Sequence, residues 1–110
     1  MPRERFQTLT EQMFYVLLCL QTERCGIDIM ERVHEITDDR ISIGAGTLYH
    51  LLESFLEEEL IVHTKTEGRK RSYIITEHGL QRLEEEYKRL QMLVLDYERV
   101  RALGGLIHGE

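Results

Sequence analysis

The sequence predicts a mainly α chain with a small β-wing, a winged helix-turn-helix followed by a long C-terminal dimerisation helix. Three observations carry that prediction. A glycine-bracketed stretch, Gly44-Ala45-Gly46-Thr47-Leu48-Tyr49, opens an amphipathic helix. Two runs rich in β-branched residues follow it, joined through Glu67-Gly68-Arg69-Lys70. A final helical stretch then repeats its apolar residues at alternating spacings of 3 and 4, at Leu80, Leu83, Tyr87, Leu90, Val94 and Tyr97.

Taken in order, the chain starts with a polar stretch holding Arg3 and Arg5. Thr8-x-x-Glu11 reads as a capping box, hydroxyl and carboxylate each satisfying a free backbone donor. The first helix is expected over 10–21 and is apolar on nearly all sides, as a central helix is. Residues 22–25 read as a connector. A second helix is expected from Gly26 to about Ile36, with Ile29, Met30, Val33 and Ile36 at helical spacing. Thr37-Asp38-Asp39-Arg40 is turn chemistry, and the alternation Ile41-Ser42-Ile43 is expected to add a short strand.

The third helix is expected over 45–58. At about 100° per residue, Leu48, Leu51, Leu52 and Phe55 share one face, while Tyr49, His50, Glu53 and Glu57 fall opposite. Strands are expected over 60–66 and 71–75, with residues 67–70 as the turn. Thr76 suits the cap of the last helix, and Glu77 in its first turn complements the macrodipole. That helix is expected to end at Gly104-Gly105. Its apolar spacing is a heptad seam, best buried against a second copy, so Leu83, Tyr87, Leu90, Val94 and Tyr97 are the expected dimerisation residues. Glu84 with Lys88 and Glu85 with Arg89 are i,i+4 pairs in the favourable order, worth about 0.2–0.5 kcal/mol each. Residues 1–76 are thus expected to form the winged unit and 77–110 the dimerisation helix and tail.

Composition excludes several classes. A chain of 110 residues with 42% apolar and 31% charged residues reads as one ordinary globular domain. No apolar run approaches the roughly 20 residues of a membrane span, and the longest, residues 13–20, has no cleavage site for a secretory leader. Cys19 and Cys25 match no metal or disulfide framework and read as two reduced, mostly buried thiols of a cytoplasmic protein. The five histidines are scattered, no two at i,i+4, so neither a metal site nor a cofactor is expected. Nothing in the glutamate runs or elsewhere suggests an enzyme.

The net charge of −6 opposes indiscriminate coating of nucleic acid, but the charge is segregated. From His63 to Tyr73 four cations face one glutamate, a local balance of +3. A helix with an open N-terminus can enter a major groove and read base edges with its first residues. Thr47, Tyr49 and His50 occupy that end, and the glycine at Gly46 lets a sugar–phosphate chain approach closely. Lys65, Arg69, Lys70 and Arg71 on the hairpin suit phosphates or a minor groove. These eight residues are the expected contacts to double-stranded DNA.

At these residues the chain resembles the PadR family of winged-helix transcriptional regulators. The resemblance covers about residues 8–90 and is carried by Leu9-Thr10-Glu11, Gly26-Ile27-Asp28-Ile29-Met30, Gly44-Ala45-Gly46-Thr47-Leu48-Tyr49, Glu58-Glu59-Leu60-Ile61, Gly68-Arg69-Lys70-Arg71-Ser72-Tyr73 and Ile75-Thr76-Glu77-His78-Gly79. The family commonly has Gly-Tyr where this chain has Gly26-Ile27, and proline between the glycines where it has Ala45. Losing that proline softens the lead-in to the third helix. The resemblance implies a homodimer joined through the C-terminal helix with help from the first, repressing a nearby gene from a palindromic operator. In some members a small-molecule effector releases the operator. The rival reading is a winged-helix protein-interaction module without DNA binding, favoured by the overall acidity.

Overall fold

The computed structural model describes residues 8–108. Its elements are α1 (Glu11–Cys19), β1 (Arg24–Cys25), α2 (Gly26–Ile36), α3 (Ala45–Glu57), β2 (Ile61–Glu67), β3 (Lys70–Ile75) and α4 (Glu77–His108). The three strands form one antiparallel sheet in the order β1-β3-β2.

α1 is capped by Thr10 rather than Thr8. The Thr10 hydroxyl accepts the Met13 N–H at 3.2 Å, and the Met13 sulfur takes the Thr10 N–H at 3.4 Å. The cap lies later because Leu9 is drawn into the core, with its N–H donated to Glu86 Oε1 at 3.2 Å. That keeps the backbone extended up to Thr10, and Glu11 becomes the acidic residue of the first turn. At the other end the Leu20 carbonyl accepts the Ile75 N–H at 2.8 Å, which ties the end of α1 to the sheet.

The expected strand at 41–43 does not form, and the third strand is β1, inside the stretch read as a connector. Arg24 pairs with Tyr73 and Cys25 with Ser72, so β1 occupies the edge of β3 away from β2. Meanwhile Asp38 and Asp39 both take left-handed conformations, φ 55 and 63, and the Ile41 N–H is taken by the Thr37 hydroxyl at 3.1 Å. Short polar side chains tolerate that conformation, so the turn is built without glycine.

α3 closes with paired backbone bonds, Leu60 N–H to Phe55 C=O at 2.9 Å and Glu59 N–H to Leu56 C=O at 3.1 Å. This end places Glu59 at φ 60, where glycine is usual. Leu60 beyond it is buried with Phe55. The wing then runs Ile61 to Ile75 with a bulge between His63 and Lys65. Glu67 pairs with Lys70, leaving a two-residue turn in which Gly68 alone has positive φ, 62°, as the first central position of a II′ connection requires.

Val16, Leu17 and Leu20 of the first helical segment, Ile29 and Val33 of α2, and Leu48, Leu52 and Phe55 of α3 fill the core. Thr76 caps α4, accepting the Gly79 N–H at 3.0 Å while donating to the Glu59 carbonyl at 2.7 Å. α4 continues past the expected stop to His108. Glycine in a helix interior costs about 1 kcal/mol but does not break the helix as proline does. The 32 residues of α4 extend about 48 Å. The radius of gyration, 17.3 Å, accordingly exceeds the roughly 13 Å of a compact chain this long.

Candidate nucleic-acid interface

On α3 the angular positions separate the exposed residues into a midline and two flanks. At about 100° per residue, Gly46, His50, Glu53 and Glu57 line up along the centre of the exposed side. Thr47 lies to one side of that line and Tyr49 to the other, and all six are exposed. Between Ala45 and Glu57 there is neither lysine nor arginine. The N-terminus is capped by Gly44 without any side-chain bond, so its backbone donors point outward.

Among the described residues nothing requires glycine at positions 44 and 46. A Cβ added at either would meet no atom within 4 Å. Gly26 differs, because a Cβ there would lie 2.7 Å from the Tyr49 hydroxyl. Tyr49 therefore lies against the N-terminus of α2, a contact that spacing within α3 alone did not reveal. It is 46% exposed, enough to keep one side of the ring open.

The wing joins this surface through Tyr73, which is buried on β3 with the His63 ring edge-on at 5.8 Å. Burial pushes the Tyr73 phenol up from its ordinary value, and the neighbouring Tyr49 and Glu53 push the same way while Arg71 opposes them. One buried phenol thus feels the flank of α3, its midline and the wing cation together. Across the bulge, the Thr66 hydroxyl and His63 Nε2 stand 2.9 Å apart.

The four wing cations are not equivalent. Arg69, Lys70 and Arg71 are exposed, and among the described residues none of them is in an ion pair. Lys65 instead lies 4.0 Å from a Glu23 carboxylate oxygen and 3.9 Å from one of Glu67, so part of its charge is already answered within the chain. The link between the wing and Glu23 follows from the sheet order and is invisible in linear spacing. Arg3 and Arg5 lie outside the described residues.

The seam on α4 divides in two. Leu83 is 7% exposed and belongs to the chain's own core. Glu86 is also buried, and Arg89 Nε donates to its two carboxylate oxygens at 3.2 and 3.1 Å. The arginines of this segment therefore pair at i,i+3, Arg82 with Glu85 and Arg89 with Glu86. Beyond Leu90, which is half-buried, the helix leaves the core, and Tyr87, Val94 and Tyr97 are at least half exposed. Leu93 and Val100 are exposed there too, which widens the apolar strip beyond the heptad positions. Both cysteines are free thiols and buried. Burial pushes the Cys19 thiol up, with Arg24 and Arg32 pulling the other way. Among the described residues no group of histidine, cysteine or carboxylate side chains could hold a metal ion, and no helix is long and apolar enough to cross a membrane.

Residues 16–85 match the family described as "Transcriptional regulator PadR-like family", a match running from α1 through both helices of the turn and the wing into α4. The chain belongs to the PadR-like family. That family is one of transcriptional regulators. The transcriptional regulator YqjI of Escherichia coli (strain K12) is 28% identical over 101 residues, 91% of this chain and 47% of that protein. The chain thus spans about half the length of the curated relatives it matches. Among solved structures, a PadR-like transcription factor from Bacteroides fragilis superposes with a TM-score of 0.70 at 21% identity, over 81% of this chain and 88% of that one. RosR of H. salinarum gives a TM-score of 0.61 at 19% identity over 84% and 96%. At such identities the PadR-like fold is what is shared. The match ends at residue 85, so the exposed strip of α4 lies beyond the family's matched segment.

Proposed function

We propose that this chain binds DNA sequence-specifically as a homodimer and represses transcription by occupying a palindromic operator in the cytoplasm. The observation that carries this reading is the meeting of three features around Tyr73: the open face of α3, the N-terminus of α2 held against Tyr49, and a wing tip whose three cations form no ion pair among the described residues. A helix entering a major groove needs a smooth lead-in, and Gly44 and Gly46 leave space that no atom of the described residues fills. The wing then neutralises phosphates, which supplies most of the affinity and makes it salt-dependent.

Dimerisation follows from the projecting half of α4. Val94 and Tyr97 continue, at helical spacing, the side that buries Leu83 nearer the core. Val94 is 55% exposed and Tyr97 64%. A second copy covers such a strip most simply, since two-fold pairing presents it with its own complement. Two α3 helices then fit major grooves about 34 Å apart, or a multiple of that. A small-molecule effector, where one exists, would act by changing the separation of the two heads.

The test is fluorescence anisotropy on duplex DNA from upstream of the chain's own gene, against scrambled duplex, across a salt series. Selective binding with a steep salt slope is expected, and replacing Arg69 and Lys70 together by alanine should weaken binding to every sequence and flatten the slope. The absence of cations from α3 favours a second reading, a protein-interaction module. Salt-independent absence of DNA binding by the folded protein would select it.

A further inference from the structure

We infer that Glu53 is a base-selecting residue of α3, its carboxylate accepting a hydrogen bond from the amine of a cytosine in each half-site. The inference rests on the DNA-binding reading above and assigns its specificity to a residue outside the N-terminal group Thr47, Tyr49 and His50.

The commonest specific contact in a major groove is arginine or lysine to the acceptors of guanine. α3 cannot make it, because Ala45–Glu57 contains neither residue. Position along the midline narrows the choice. Gly46 has no side chain to offer. Thr47 and Tyr49 flank the line, where the two phosphate backbones run, and Tyr49 already lies against Gly26. His50 and Glu53 are left as the side chains aimed along the centre within the first turns. They stand about 4.5 Å apart along the helix axis, a little more than the 3.4 Å step between bases, so each meets a different base pair.

The fold does not explain a carboxylate at 53. The side chain is exposed and, among the described residues, engages in no hydrogen bond or ion pair. Against a polyanion a bare carboxylate is unfavourable unless a donor meets it. An ionised carboxylate only accepts. In the major groove guanine offers two acceptors, thymine an acceptor and a methyl group, and adenine an amine beside an acceptor. Cytosine alone offers its amine without an adjacent acceptor of its own. The same charge that selects cytosine therefore disfavours the other three bases and lowers binding to random DNA.

The full chain is to be incubated with a duplex library randomised across an operator length, and the sequences retained by wild type, Glu53→Gln and Glu53→Ala compared. Circular dichroism checks that both variants fold. Wild type should enrich cytosine at one position per half-site, with about five- to a hundredfold weaker binding when that base is replaced. Glu53→Gln should move the preference at that position toward adenine, whose N6 and N7 a glutamine binds as a pair. Glu53→Ala should lose selectivity there alone while binding random duplex more tightly. If wild type and Glu53→Ala retain the same sequences with the same strength, Glu53 only repels the backbone and the inference falls while DNA binding stands. If folded wild type retains no sequence over random duplex, the inference falls together with the function it rests on.

Discussion

Gly79 and Gly46 both stand in the first turn of a helix, and the surroundings of the two could hardly differ more. A Cβ added at Gly79 would lie 2.1 Å from the Leu60 carbonyl oxygen and 2.6 Å from Ile75 Cγ1. One added at Gly46 would meet nothing within 4 Å. The first glycine is demanded from inside, because α4 docks against Leu60, just ahead of β2, and Ile75, at the end of β3, with no room for a methyl group. No described residue accounts for the second, and its space opens on the side of α3 where Thr47, Tyr49 and His50 are exposed. The same residue type marks a packed joint in one place and open space on an exposed helix face in the other.

The largest expected effect comes from filling the joint. Gly79→Ala should destabilise the fold by about 3 kcal/mol or more, since a backbone carbonyl cannot swing aside as a side chain can. A urea titration with an unchanged midpoint would show that α4 does not dock as described.

About two turns further along, α4's packed half is also held by a polar latch, Glu86 with Arg89 and the Leu9 N–H. The Arg89 hydrogen bonds hold the Glu86 carboxyl below the usual glutamate value, assisted by the Leu9 N–H and opposed by burial. A carboxyl lowered in the folded state stabilises it above the unfolded value, and that contribution is lost as pH falls through the folded value. Stability should therefore decline as pH drops below about 4.3. Glu86→Ala should cost about 1–3 kcal/mol at neutral pH, by orphaning the Leu9 N–H and a guanidinium, and should flatten that acid limb. Thermal unfolding from pH 7 down to pH 3 reads both, and an identical acid limb in the variant would contradict the latch.

Gly26 stands between the two extremes, because its close neighbour is the mobile end of Tyr49. Gly26→Ala should cost only about 1 kcal/mol in stability while weakening DNA binding by displacing the ring. Undiminished binding by a folded variant would remove Tyr49 from the interface.

The smallest change in stability is expected at Gly46. Gly46→Ala should be stabilising, by about 0.5 kcal/mol, because alanine loses less freedom in a helix. Its affinity for DNA should nonetheless fall, since the methyl group occupies the approach to the backbone. A variant that binds DNA as well as wild type would leave the comparison with Gly79 without its functional half.

Much of this molecule was legible in linear order because the signals are local. The α2 limits, Gly26 and Ile36, follow from a glycine start and helical spacing. Thr76 capped α4 as its position suggested, since the N–H that it caps lies in the turn beside it. The buried face of α3, Leu48, Leu51, Leu52 and Phe55, came directly from the angular period. Where the reading failed, the decisive partner was distant in sequence. Residues 24 and 25 carry no strand signal of their own, and they became β1 because the edge of β3 was available to them. Thr8 matched the capping pattern, but the pull of Glu86 on Leu9, 77 residues away, moved the cap to Thr10.

The sequence by itself determined the helices of the turn, the basic hairpin and the candidate contacts Gly46, Thr47, Tyr49 and His50, all through interactions within one or two turns. Only the tertiary structure decided which of the candidate cations remain open: among the described residues Arg69, Lys70 and Arg71 form no ion pair, while Glu23 and Glu67 partly answer Lys65. It also decided that Leu83 and Glu86 belong to the core while Val94 and Tyr97 remain exposed. The physical reason is that helical period assigns a side but not a partner. Along α4 one side continues unbroken, and where it is buried depends on where the rest of the chain ends beneath it.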